Sequence, residues 1–244
     1  MENGTDWRLQ TQGSLSEDWK SPWTGEMHRK GSKITVVSIV ELTKKKHLTL
    51  PIPNATASCL NISKKTWLSA RELRKTSGLD KSIKNQVSFR CDSDAIDYLE
   101  LIMQSIVFAF TALEAFVNEM VPSDYKYEKK GKKATEIYTK EKIERWVSID
   151  EKLDKIIPAI LKVETPKGRD RSWQGFKDLK NIRDRLIHMK SDDRKSSGPD
   201  AKTIWTDLMK TEPPYKQAFT IVKYFIGDEG STPSWFQHGS INLK

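Results

Sequence analysis

The run Arg183-Asp184-Arg185-Leu186-Ile187-His188 combines residue types that suit cleavage of a phosphodiester. Histidine exchanges protons near neutral pH. Arginine grips a phosphate, and the charge that builds on it, through a planar fork of donors. An acid at i and a His at i+4 share one helix face, close enough for the carboxylate of Asp184 to orient the imidazole of His188. In this reading His188 is general base on a ribose 2′-hydroxyl, or general acid on the leaving 5′-oxygen. Arg183 stabilises the pentacovalent phosphate, and Arg185 holds a neighbouring phosphate. Use of the 2′-hydroxyl restricts the substrate to RNA and leaves a 2′,3′-cyclic phosphate. The plain structural alternative is a helix whose last turn carries His188 and Lys190, two cations favoured by the negative end of its dipole.

Five residues along a straight helix separate Arg183 from His188 by about 140° of rotation and about 7.5 Å of rise, so they would not point at one phosphate. Either the helix loosens after Leu186, or two copies meet and line one groove with both pairs. A two-fold homodimer does the latter naturally and doubles the local positive charge, which favours it. Glu114 and Asn118 are supporting candidates. They lie one turn apart at the edge of an apolar stripe, where polar groups satisfy internal hydrogen bonds or face a site.

The elements that must position these residues are mostly helices. Phe176, Leu179, Ile182, Leu186 and Met189 form the buried stripe of the Arg–His helix over 176–190. The strongest helix is 94–120. Leu99, Ile102, Met103, Ile106, Phe110, Leu113, Val117 and Met120 recur at steps of three and four, with Asp92, Ser93 and Asp94 able to cap it and Pro122 to stop it. A helix over 139–161 has a predicted break at 148–150, and two more span 201–210 and 214–226. Trp67 to Lys75 predicts a short helix within 66–77, closed by Gly78.

Residues 33–52 read as two short strands joined by Lys44-Lys45-Lys46 and ended by Pro51 and Pro53, and Val87 to Cys91 as another strand. Residues 1–32 read as a flexible polar arm whose Trp7, Trp19 and Trp23 dock on the body. In 122–135, Tyr125 and Tyr127 interleave with lysines, which suits stacking and phosphate contact on single-stranded RNA, though an ordinary exposed linker is the preferred reading. Trp235, Phe236 and His238 of the tail are expected to pack back on the body. The expected organisation is mainly α: an arm at 1–32, a small α+β region at 33–91, a helical domain at 92–227 and a tail at 228–244.

Forty-two Lys and Arg against 33 Asp and Glu give the 244 residues a net charge of +9, which favours polyanionic partners, RNA among them. Cys59 and Cys91 make neither a disulfide framework nor a zinc spacing. The N-terminus lacks the basic and apolar regions of a signal sequence. Ile102 to Phe116, interrupted by Gln104, Ser105, Thr111 and Glu114, reads as too broken and too short to span a bilayer. The expectation is a cytoplasmic chain with no membrane partner, no metal and no cofactor, in which the glycosylation-type triplets at Asn3, Asn54 and Asn61 mean nothing. Phosphate loops of Walker type, dinucleotide fingerprints, His-Glu-x-x-His and Gly-x-Ser-x-Gly are all missing from the sequence.

Ile182 to His188 resembles the ribonuclease signature of the HEPN domain, the all-helical fold of higher eukaryotes and prokaryotes nucleotide-binding proteins: Arg, a polar second residue, several more, then His. Thr111 to Asn118 resembles part of that family's earlier core helix, and the order of elements over about 92–227 is similar. The resemblance implies a HEPN-like helical bundle and a dimeric, metal-independent endoribonuclease. Such enzymes are often toxins or phage-defence effectors, with a cognate inhibitor or defence-system partner. It also admits inactive members that only bind nucleotides, RNA or partners. Toxins silenced by a partner nucleotidyltransferase usually carry a Tyr shortly after the His; here Met189-Lys190-Ser191 follow, against that mode of control. A third possibility is a scaffold that recruits another protein through the N-terminal strands and tryptophans.

Overall fold

A computed structural model of the chain describes residues 6–22, 25–131, 134–195 and 197–227, together with 233, 235–237, 239 and 243. The fold is mainly α, about 53% helical, with eight α-helices and small two-stranded sheets among the described residues. Ahead of the helices come β1 (Thr11–Ser14), β2 (Trp19–Lys20), β3 (Met27–His28), β4 (Lys33–Thr35), β5 (Val37–Thr43) and β6 (Lys46–Pro51). Strand β1 pairs with β4, β2 with β3, and β5 with β6, all antiparallel. The expected two strands around the lysine turn are therefore present. The described part of the arm, expected to be without regular structure, also forms short ladders. Trp7 packs against the core, Trp19 stacks on His28 at 5.7 Å, and Trp23 lies outside the described residues.

Helix α1 (Ala55–Thr76) starts eleven residues before the expected 66–77. Its early half is small and polar, so no apolar period announces it. Asn54, only 1% exposed, starts it: its Oδ1 accepts from Ala57 N at 2.9 Å. The Asn54 amide also donates to Gln10 at 2.8 Å and to Glu119 at 2.8 and 3.0 Å, joining the arm, α1 and the end of α2 (Asp92–Glu119). Along α1 and α2 small residues let the helices approach. Ser63 Oγ donates to Ser105 O at 2.7 Å, and Ser105 Oγ to Ser63 O at 2.9 Å. One core holds Leu60 and Ala70 of α1 with Ile102, Ile106, Phe110, Leu113 and Phe116 of α2. The expected boundary after residue 91 thus falls between two helices that share a core.

Helix α2 has 28 residues and is apolar enough to cross a bilayer by length and composition, which corrects the expectation that this stretch is too short. Half of its most apolar stretch is buried inside the fold. Val87 to Cys91 forms no strand, because no neighbouring strand offers it a ladder; Phe89 instead packs against Tyr98 with ring centroids 5.3 Å apart. The expected loop 122–135 contains β7 (Tyr127–Lys130), paired with β8 (Thr135–Tyr138). Tyr127 donates to Glu151 Oε1 at 2.7 Å. Burial and that carboxylate push its phenol up to about 12, so it remains a donor at neutral pH.

Helix α3 (Lys140–Trp146) ends near the expected break. After it, α4 (Ile149–Glu151), a π-helical turn (Lys152–Ile156) and α5 (Ile157–Leu161) run on as one irregular helix. Helix α6 (Arg171–Ile187), α7 (Ile204–Lys210) and α8 (Pro214–Ile226) complete the bundle. Trp235 and Phe236 of the tail pack back as expected, whereas His238 lies outside the described residues.

Candidate functional site

Asp170 caps α6, accepting from Ser172 N at 2.7 Å, and Phe176, Leu179 and Leu186 bury its inner stripe. That stripe turns Arg183 toward α2. Its guanidinium carbon sits 3.6 Å from the centroid of the Phe110 ring, a cation–π contact that also keeps water from one face. Nη2 lies 3.4 Å from Glu114 Oε1, a long and therefore weak contact, and Nη1 lies 2.9 Å from Asp184 Oδ1. Nε is shielded and has no partner. With its side chain 20% exposed, Arg183 is held on an apolar plate, with its fork only partly occupied.

Asp184 also lies 3.8 Å from Lys180 Nζ. Lys180 and Lys177 both reach Asp150 on α4, at 3.0 and 2.6 Å. Burial works against the Asp150 carboxylate, but hydrogen bonds from Lys177 and Lys180 outweigh it and hold its pKa below the usual range. This face of α6 is thus a row of cations interleaved with acids.

Helix α6 ends at Ile187. His188 departs from the helical path at φ −114° and ψ 55°, as expected if the helix loosens after Leu186. Its backbone N–H donates to Asp184 O at 3.0 Å. The ring is exposed and makes no side-chain hydrogen bond among the described residues. The expected bond from the Asp184 carboxylate to the imidazole is therefore not formed, since Arg183 and Lys180 engage that carboxylate. Nor does a hydrogen bond join His188 to Arg183 within one chain.

Arg185, two residues on and about 200° around the helix, faces elsewhere. Its Nη1 lies 2.6 Å from Asp207, and its Nη2 lies 3.0 Å from Asp193 and 2.8 Å from Lys202 O. The expectation that it holds a neighbouring phosphate is corrected: Arg185 anchors the chain between α6 and α7. Asp193, 2% exposed, is the hub of that anchor, accepting from Ile204 N at 2.8 Å and Lys190 N at 3.1 Å. The Ile204 hydrogen bond, more than any other group, holds the Asp193 carboxyl below the usual range.

A carboxyl with a pKa lower in the folded chain than in the unfolded one lends stability that is full above the unfolded value, about 3.9, and is lost as the pH falls through the folded value. Trp205 Nε1 donates to Asp193 O at 2.8 Å and reports on the loop. Exchange of that indole proton is expected to accelerate below about pH 4, a response that Asp193→Asn should flatten. Unchanged exchange down to complete acid unfolding would contradict the assignment.

Asn118 faces a residue that sequence reasoning passed over. Its Oδ1 accepts at 2.8 Å from Nζ of Lys152, which also donates to Glu144 O at 3.0 Å. Lys152 is only 4% exposed, and burial pushes its amine down while the charges of Glu114 and Glu144 push it up. Little in the sequence signals it: Asp150, Glu151, Asp154 and Lys155 flank Lys152, so it reads as one more surface charge, and only the folded chain shows it buried. The structure thus brings together Arg183, Asp184 and Glu114, with Asn118 one turn further along α2 and Lys152 reaching it from the π-helical turn. It leaves His188 at the rim and Arg185 outside.

The chain matches no protein-family model, no curated protein and no solved structure. What the site can do follows from its own geometry. Among the described residues, no three His, Cys, Asp or Glu side chains converge as metal ligands. A half-shielded guanidinium can hold an anion, and an exposed imidazole five residues along the chain can move a proton.

Proposed function

We propose that this protein is a metal-independent endoribonuclease with a HEPN-like bundle, acting as a cytoplasmic homodimer in a toxin or antiviral-defence role. The observation that carries the reading is Arg183, seated on Phe110 with a partly occupied fork, on a helix that ends in a free, exposed His188. An RNA phosphate displaces the long Glu114 contact and takes Arg183 as a paired donor. One His188 removes the proton of the 2′-hydroxyl, whose oxygen attacks phosphorus. The bond to the 5′-oxygen breaks, and a second His188 across the two-fold axis protonates the leaving oxygen. The products are a 2′,3′-cyclic phosphate and a 5′-hydroxyl. A cognate inhibitor or defence-system partner would act on the same groove.

The decisive experiment compares RNA cleavage in EDTA by wild type and His188→Ala, with end-group analysis of the products. Wild type is expected to cleave and leave cyclic phosphate ends, with His188→Ala slower by about a hundredfold or more. Equal cleavage by both rules out this role for His188.

A second reading is a binding module that holds RNA or a nucleotide without cutting it. A cleft of about 630 Å3 between α1, α2 and α7 favours it, lined by Trp67, Arg71, Arg74, Lys75 and Tyr98 among others. The volume falls in the small-ligand range. Binding without cleavage by wild type would select this reading.

A further inference from the structure

Lysine Nζ carries donors only, so the Asn118 atom 2.8 Å from Lys152 must be its carbonyl oxygen. The amide cannot be turned the other way. Its Nδ2 hydrogens therefore point away from Lys152, and no acceptor among the described residues takes them. Asn118 is half-buried on α2, one turn beyond Glu114, whose carboxylate meets Arg183. Two sets of donors, the Arg183 fork and the Asn118 amide, thus lie along one edge of α2 with Glu114 between.

Lys152 is a costly way to fill its position. No carboxylate of the described residues lies within 4.0 Å of its nitrogen, so a buried cation rests on two neutral oxygens, Asn118 Oδ1 and Glu144 O. A leucine there would avoid the desolvation penalty. Lys152 also opens the π-helical turn Lys152–Ile156, a form that occurs mostly as single turns and often at functional sites.

We propose that Lys152 is a positioning residue. It locks the Asn118 carboxamide with Nδ2 outward, so that Asn118 and Arg183 together hold consecutive phosphates of a single RNA strand. This rests on the ribonuclease reading for its substrate but not for its readout. Binding is measured in EDTA by anisotropy with a labelled 2′-O-methyl oligoribonucleotide, which cannot be cleaved through the 2′-position.

Asn118→Asp separates positioning from support. Its carboxylate pairs with Lys152, so the Tm should hold or rise, but it presents no outward donor, and affinity should fall by about tenfold or more. Thr111→Asp, one turn to the other side of Glu114, adds the same charge without touching the amide and should weaken binding less. Lys152→Met frees the carboxamide to turn and should weaken binding severalfold, with Lys152→Arg restoring it.

Wild-type affinity in Asn118→Asp overturns the inference, as does an equal loss in Thr111→Asp. If wild type binds this probe but cleaves no RNA, and Asn118→Asp fails to bind, the ribonuclease reading falls while the positioning role stands. If wild type cleaves RNA and Asn118→Asp binds normally, the reverse holds. Failure of wild type to bind the probe overturns the positioning role, while the ribonuclease reading still stands or falls on the cleavage assay.

Discussion

Arg183→Ala is expected to slow RNA cleavage by about a hundredfold or more, the usual loss when one donor to a developing oxyanion is removed. Arg183→Lys should recover little of it. A lysine offers a compact point charge in place of a planar fork and cannot lie on Phe110 in the same way. The loss should fall on kcat, because the bond to phosphate strengthens as charge accumulates in the transition state.

Stability should change far less. The contact with Phe110 contributes about 0.5–2 kcal/mol, and Asp184 keeps Lys180 as a partner. Single-turnover rates measured beside thermal melts make the comparison. A variant that melts like wild type and cleaves like wild type would remove Arg183 from the mechanism and the ribonuclease proposal with it.

Phe116→Ala is the largest expected effect of the opposite kind. Phe116 is fully buried at the junction of α2 with α8, its ring centroid 6.4 Å from that of Phe225. Truncating a buried Phe costs about 3–5 kcal/mol, the lost transfer energy plus the cavity left behind. Against a whole-domain stability of about 5–15 kcal/mol, that removes about a fifth of the stability at the upper end and nearly all of it at the lower end. Urea unfolding at 10 °C should show a lower midpoint with an unchanged slope, as expected when stability alone changes. Cleavage per folded molecule should be preserved, because Phe116 is not among the residues gathered around Arg183. A shift below about 1 kcal/mol would mean that the helix junction relaxes around the hole.

Sequence periodicity made the long apolar helices legible. The three-and-four spacing that fixes α2, α6 and α8 is the same spacing that buries Phe110, Phe176 and Phe225, and it also oriented Arg183. Helix α1 stayed partly hidden because Ala57, Ser63 and Ala70 pack through smallness and not through bulk. The strand at 87–91 failed for want of a partner, which no local pattern reveals. The pairs of Arg185 with Asp193 and Asp207 lie 8 and 22 residues away along the chain, so only the folded loop shows that Arg185 is engaged. Lys152 was hidden among Asp150, Glu151, Asp154 and Lys155, and its meaning depended on Asn118, 34 residues earlier.

The β5–β6 hairpin leaves and rejoins the chain at nearly one point. Ile52 N donates to Val36 O at 2.8 Å, and Val36 N to Gln10 O at 3.0 Å, so the ribbon is a side excursion closed at its base. Ile39, 70% exposed, and its neighbours bury little against the helices. In evolutionary terms this is a detachable module. Its length, tip and apolar faces can drift, lengthen or be exchanged under selection for recognition, while the chain from Asn54 onward keeps its cap, its core and its arginine in place.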